Sequence, residues 1–190
     1  LPISPNPLCA TGHGTSASGC PVPCGLNIPH RKDAILIDFC HIPVSIIKRS
    51  EGRSAVAAAA YRSGTKLTNE WDGLTHDYTR KGGVVHEEII LPAHAPPEFA
   101  DRSTLWNSVE QIEKARDSQL AREIEAALPR ELSREQQLSL VRAYVKDNFV
   151  DKGMCADFAI HDKGTGNPHV HIMLTIRPLK ENGAWGAKCR

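Results

Sequence analysis

Three histidines are spaced so that one cation can meet all of them. His169 and His171 stand two apart in His169-Val-His-Ile-Met-Leu-Thr-Ile176, whose apolar, β-branched content reads as a strand, so both side chains leave the same face. His161 ends a second strand-like run, Ala156-Asp-Phe-Ala-Ile-His161. The connection Asp162-Lys-Gly-Thr-Gly-Asn-Pro168, punctuated by Gly and Asn, makes an antiparallel hairpin the natural reading. Three imidazoles can then converge as a divalent-metal site with open positions requires. A lone histidine is ordinarily a solvated or hydrogen-bonded side chain; three in one hairpin point to a metal. An all-histidine set leaves coordination for water or a phosphate oxygen, which suits a Lewis acid.

Such a triad by itself permits hydrolysis of many substrates. The residue that narrows the chemistry is Tyr61, with Arg62 beside it, in Arg53-Ser-Ala-Val-Ala-Ala-Ala-Ala-Tyr-Arg-Ser-Gly64. A phenol can attack a phosphodiester and leave a covalent phosphotyrosine, while a metal polarises a non-bridging oxygen of the same phosphate. Arg49, Arg53, Arg62, Lys66, Arg80 and Lys81 make this region locally basic, with Arg53, Arg62, Lys66, Arg80 and Lys81 the candidate contacts to a nucleic-acid backbone. A solvated charged surface is the plainer account of the same residues.

These groups need elements to hold them. Alanine is the strongest helix former, so a helix is expected from Arg53 to Lys66, with Ala57, Ala58 and Ser54 forming a strip of small residues below Tyr61. A strand is expected within Ile35–Ile47, with Pro43 near its start or edge. Residues 67–83 read as a polar loop or hairpin, and Val84–Leu91 as a strand stopped by Pro92. Asp101 or Ser103 can cap a helix whose face is Leu105, Val109 and Ile112. Leu120–Leu128 suits either state, and the strand is preferred because Pro129 stops it and a capping box, Ser133-Arg-Glu-Gln136, opens a new helix at once.

The 190 residues bound the rest. That length suits one domain with a proper core. Hydrophobic residues at 41% and charged residues at 24% are ordinary globular proportions. Lys+Arg 23 against Asp+Glu 22 gives a net charge of +1, so a polyanion contact must come from local placement. No apolar run approaches the ~20 residues a membrane span needs. Residues 1–34, rich in Pro, Gly, Ser, Thr and Cys, show no period and are expected to be a disordered leader. Cys20 and Cys24 resemble half a zinc site without its second pair, so the six cysteines are read as a reduced set. The opening stretch has no basic region followed by an apolar one, so no secretory signal is expected and a cytoplasmic location is the default.

Arg53–Gly64, Thr75-His-Asp-Tyr-Thr-Arg-Lys81 and Asn167-Pro-His-Val-His-Ile-Met173 together resemble the MobA/MobL relaxases of mobilizable plasmids, members of the histidine-hydrophobe-histidine (HUH) single-strand endonucleases. The resemblance runs from His41 to Arg190 and includes Leu120-Ala-Arg-Glu-Ile-Glu-Ala-Ala-Leu-Pro129. It implies an α+β fold with helices packed on a central antiparallel sheet. It divides the chain into a leader, 1–38, and a catalytic domain, 39–190, that is C-terminally incomplete. It also implies nicking of one strand at a transfer origin, a 5′-phosphotyrosine link through Tyr61, and later rejoining.

On the same resemblance His161, His169 and His171 hold Mg²⁺ or Mn²⁺, and Glu131 is the candidate base or orienter near the tyrosine. Glu123 and Glu125 are weaker candidates, as partners of the histidines. Origin-of-transfer DNA, as single strand, is the implied substrate; accessory mobilization proteins and a coupling protein are further partners. All three tyrosines precede the histidine pair, which is the relaxase order and not that of replication initiators. Tyr144, beside Val141 and Val145, is expected in a core, and Tyr78 to stack on a base or serve structure. The alternatives are a metal-dependent phosphodiester hydrolase without a covalent step, and a remnant that only binds single strands.

Overall fold

In a computed structural model that describes residues 43–188, the expected α+β architecture is present. Strands β1 (Val44–Lys48), β5 (Gln119–Ala127), β7 (His169–Thr175), β6 (Ala156–His161) and β4 (Val84–Ile90) form one sheet in that spatial order, every neighbouring pair antiparallel. A separate two-stranded hairpin joins β2 (Lys66–Thr68) to β3 (Thr75–Asp77). The helices are α1 (Ala55–Ser63), α2 (Arg102–Ile112) and α3 (Arg134–Asn148). The leader, the residues of the first expected strand before Pro43, and the Cys20/Cys24 pair lie outside the described residues.

Strand alternation divides the sheet's contacts between two layers. On one face Ala121 and Met173 pack with Ala55, Val56, Ala59 and Ala60 of α1 and Leu105, Trp106 and Val109 of α2. On the other, Ile124, Phe158, Ile160, Val170, Ile172 and Leu174 pack with Val141 and Val145 of α3. The short side chains of α1 let its backbone lie close to the sheet. Ile112, expected on the inner face of α2, is instead 42% exposed at the helix end.

Local signals set most boundaries. Ser54 Oγ accepts from Ala57 N at 3.2 Å and opens α1 two residues later than Arg53. The buried Glu110 of α2 also accepts from Ala55 N at 2.7 Å, placing a carboxylate at the positive helix end. Gly64, with φ 68°, closes the helix before Lys66, because a left-handed backbone is what turns the chain into β2. Ser133 and Gln136 make the reciprocal capping box of α3. The ambiguous Leu120–Leu128 run is a strand because β1 and β7 pair with it on both sides, Ile47↔Ala121 and Ala121↔Thr175. That pairing satisfies backbone groups on both edges.

Candidate active site

The hairpin of β6 and β7 opens at one end of the sheet, on the face that carries α1. Its register sets His161 opposite His169 and Ala159 opposite His171, so all three imidazoles share that face. Ring centroids are 4.8 Å apart for His161 and His171, 5.2 Å for His169 and His171, and 5.5 Å for His161 and His169. One ligating nitrogen from each ring lies within 4.8 Å of the others. Among the described residues this is the one such group of three.

Each ring is held from behind. His161 Nε2 donates to the Arg62 carbonyl at 2.7 Å, His169 Nδ1 to the Asn167 carbonyl at 3.0 Å, and His171 Nδ1 to Glu123 Oε1 at 3.2 Å. An imidazole that spends one N–H this way keeps a lone pair on its other nitrogen, as a metal ligand must. Burial holds His161 down at about 4, although its bond to Arg62 opposes this, and Lys81 and the other two histidines push it lower still. Three imidazole nitrogen donors with no carboxylate closing the set fit a divalent cation that retains open positions.

Tyr61 occupies the last turn of α1, 47% exposed, its ring meeting Tyr78 edge-on at 5.2 Å. It lines the same cavity of about 330 Å³ as His161, His169 and His171. Lys81 and Lys163 complete the charged lining, and Thr165 and Asn167 come from the β6–β7 loop. The His161–Arg62 bond ties the end of α1, which carries Tyr61, to the hairpin that carries the imidazoles. A second cavity, of about 370 Å³ beside β4, is lined by Glu87, Arg102 and Asp101. There Arg102 already pairs with Glu87 and Asp157, and no imidazole lines the cavity.

The remaining residues singled out in the sequence separate by place. Glu123 is buried and central: Arg62 pairs with it, Arg53 Nη2 lies 3.6 Å from Oε2, and Ser45 Oγ donates to Oε2 at 3.2 Å. Burial alone would raise its carboxyl, but hydrogen bonds from His171 and Arg62, and the charge of Arg62, hold it at about 2. Glu125, half exposed, stands 3.9 Å from His171 Nδ1. Glu131 is exposed in the turn after β5 and does not line the cavity.

Of the basic residues, Arg53 and Arg62 direct their guanidiniums at Glu123, and Lys66 sits 3.9 Å from Asp77. Arg80 is exposed, and Lys81 lies against Tyr61. Lys163, Thr165 and Asn167 escaped the sequence reading; the seven-residue loop between the histidine strands was the available signal, since it must pass over the triad. Tyr144 is half-buried against Phe149 rather than enclosed.

Three comparisons place these features among known proteins. The MobA/MobL family model matches residues 53–190. The conjugal transfer protein TraA of Agrobacterium fabrum is 49% identical over 160 residues, covering 79% of this chain and 14% of its own length. The mobilization protein MobL of Acidithiobacillus ferridurans is 40% identical over 173 residues, covering 78% of this chain and 45% of its own. The chain thus spans a minor part of these relatives. A chain in the solved structure "Molecular Basis of Vancomycin Resistance Transfer in Staphylococcus aureus" aligns at a TM-score of 0.73 and 31% identity, over 77% of this chain and 75% of that one.

Proposed function

This chain belongs to the MobA/MobL family, and from that premise we propose that it carries the strand-cleaving centre of a DNA relaxase. The observation that carries the reading is the shared cavity: a helix-borne phenol and three converging imidazoles with room for a phosphodiester between them. Tyr61 Oη attacks phosphorus, the Oη–P bond forms and the P–O3′ bond breaks, leaving a 5′-phosphotyrosine and a free 3′ hydroxyl. Attack by that hydroxyl reverses the step and rejoins the strand. Mg²⁺ or Mn²⁺, bound by His161, His169 and His171, would polarise a non-bridging oxygen and balance the charge that develops there.

The chain's own residues supply positioning. Glu123 fixes the His171 ring and draws Arg62 under α1, while the Arg62 carbonyl fixes His161. Lys163 and Arg80 are assigned to phosphates flanking the scissile one. Residues 39–190 form the cleaving domain, with 1–38 a leader outside it. The substrate is single-stranded origin-of-transfer DNA in the cytoplasm, with accessory mobilization proteins and a coupling protein as partners. No helix among the described residues is long and apolar enough to cross a membrane.

The test is incubation with a labelled transfer-origin oligonucleotide and Mn²⁺, then a denaturing gel. A protein–DNA band is expected from the parent and none from Tyr61→Phe, which should still bind Mn²⁺. Undiminished nicking by Tyr61→Phe would instead establish a hydrolase that uses activated water. Salt-sensitive binding with no cleavage would mark a binding remnant.

A further inference from the structure

Lys81 sits where a merely solvated lysine would not. It ends a turn in which its own N–H donates to the Tyr78 carbonyl at 2.9 Å, just before Gly82 and Gly83. From there its Nζ returns to donate to the Tyr61 carbonyl at 2.7 Å, one of the carbonyls that the end of α1 leaves without a helical partner. The same ammonium lies 3.6 Å from the centroid of the Tyr61 ring. A helix-capping role accounts for the first contact but not for the second. The charged groups that act on it are Arg62 and Lys163, both cations, so among the described residues no anion pairs with this ammonium.

We propose that Lys81 is the positioning residue of the nucleophile: tied to Tyr61's own carbonyl, it holds positive charge against the phenol ring and stabilises negative charge on Tyr61 Oη during both attack and departure. This rests on the relaxase reading. In nicking, the Oη–P bond forms as P–O3′ breaks, and the phenol proton passes through cavity water to the departing 3′ oxygen. In rejoining, the 3′ hydroxyl attacks phosphorus, Oη leaves as an anion facing Lys81, and the proton returns to it. Lys81 gains and loses no proton in either direction. A cation against a ring face is favourable, and more so once the ring oxygen is charged. Tyr78 meets the Tyr61 ring, Lys163 and the three imidazoles line the same cavity, and Arg62, turned to Glu123, acts by its charge on Lys81.

Burial pushes the Lys81 ammonium down to about 8, with Arg62 and Lys163 adding repulsion. The charge is therefore present below that pH and is lost as the pH rises through it. Arginine in its place would keep the charge throughout.

The test compares the parent, Lys81→Met and Lys81→Arg in single-turnover adduct formation with a transfer-origin oligonucleotide at saturating protein and Mn²⁺. At neutral pH, Lys81→Met should be slower by about tenfold and Lys81→Arg within a few-fold of the parent. Above pH 8 the parent should fall relative to Lys81→Arg. Methionine preserves the apolar stem, so a packing role predicts no loss. A phosphate contact predicts weaker binding with an unchanged saturating rate. Either result overturns the proposal. If the parent forms no adduct, the relaxase reading fails, and phenolate absorbance decides Lys81 independently. With Tyr61→Phe subtracted, Tyr61 should ionise at lower pH in Lys81→Arg than in Lys81→Met, and equal values would overturn the proposal.

Discussion

Glu123 engages His171, Arg62, Arg53 and Ser45 through two oxygens, and so ties the imidazole cluster, helix and edge strand together. Glu123→Gln keeps the shape and removes the charge. It should weaken Mn²⁺ binding by about 10–100-fold in a calorimetric titration, the usual cost of losing a carboxylate behind a ligating histidine. Glu131, the carboxylate that the family resemblance selects, is exposed and away from the cavity. Glu131→Gln should therefore form adduct at a rate within about twofold of the parent, since surface substitutions away from a site are near neutral. A strong loss there would bring a segment of the β5–α3 turn to the substrate that the structure leaves outside.

The helices work as levers whose ends matter more than their middles. α1 delivers Tyr61 at its C-terminal turn because Ser54, Glu110 and Gly64 set its two ends. α2, which supplies Glu110, begins at Asp101, whose Oδ1 accepts from Thr104 N at 2.8 Å. That bond lowers the Asp101 carboxyl, so its stabilising effect is present above the ordinary carboxylate range and fades as pH falls through the lowered value. Asp101→Ala should cost about 1 kcal/mol in urea unfolding at neutral pH, and the difference should close in acid. Persistence of the gap at low pH would mean that packing rather than the cap is lost.

The whole molecule is nearly neutral, yet its cavity mouth is not. Arg53 and Arg62 of the basic segment direct their guanidiniums at Glu123 and Arg49 pairs with Glu110, whereas Lys163 of the β6–β7 loop lines the cavity and Arg80 is exposed. Lys163→Ala should weaken binding of a single-stranded oligonucleotide. It should also reduce the slope of log affinity against log salt by about 0.7, the value for one lost phosphate contact on a single strand. An unchanged slope would remove Lys163 from the interface. The sheet's covered faces explain why the site lies at one end: the middle of the α1 face is filled by Ala121, Met173 and the alanines of α1, and the imidazoles stand past that filled region.

What could be read directly was whatever depends on neighbours in sequence. The alternation of His169 and His171, the alanine run of α1, the capping box at Ser133 and the turn signals of the β6–β7 loop are all local, and they were enough for the element order and for the triad. Tyr61 stood out by its chemistry beside Arg62 on the alanine-rich helix, and the family resemblance selected it over Tyr78 and Tyr144. Which carboxylate stands behind the imidazoles, which cations face outward and which lysine meets the phenol depend on contacts between residues far apart in the chain. Glu123 reaches His171 across a strand pair, and Lys81 reaches Tyr61 only because the hairpin folds back over the helix end. A side chain's charge is written in the sequence; the partner that spends it is chosen by packing.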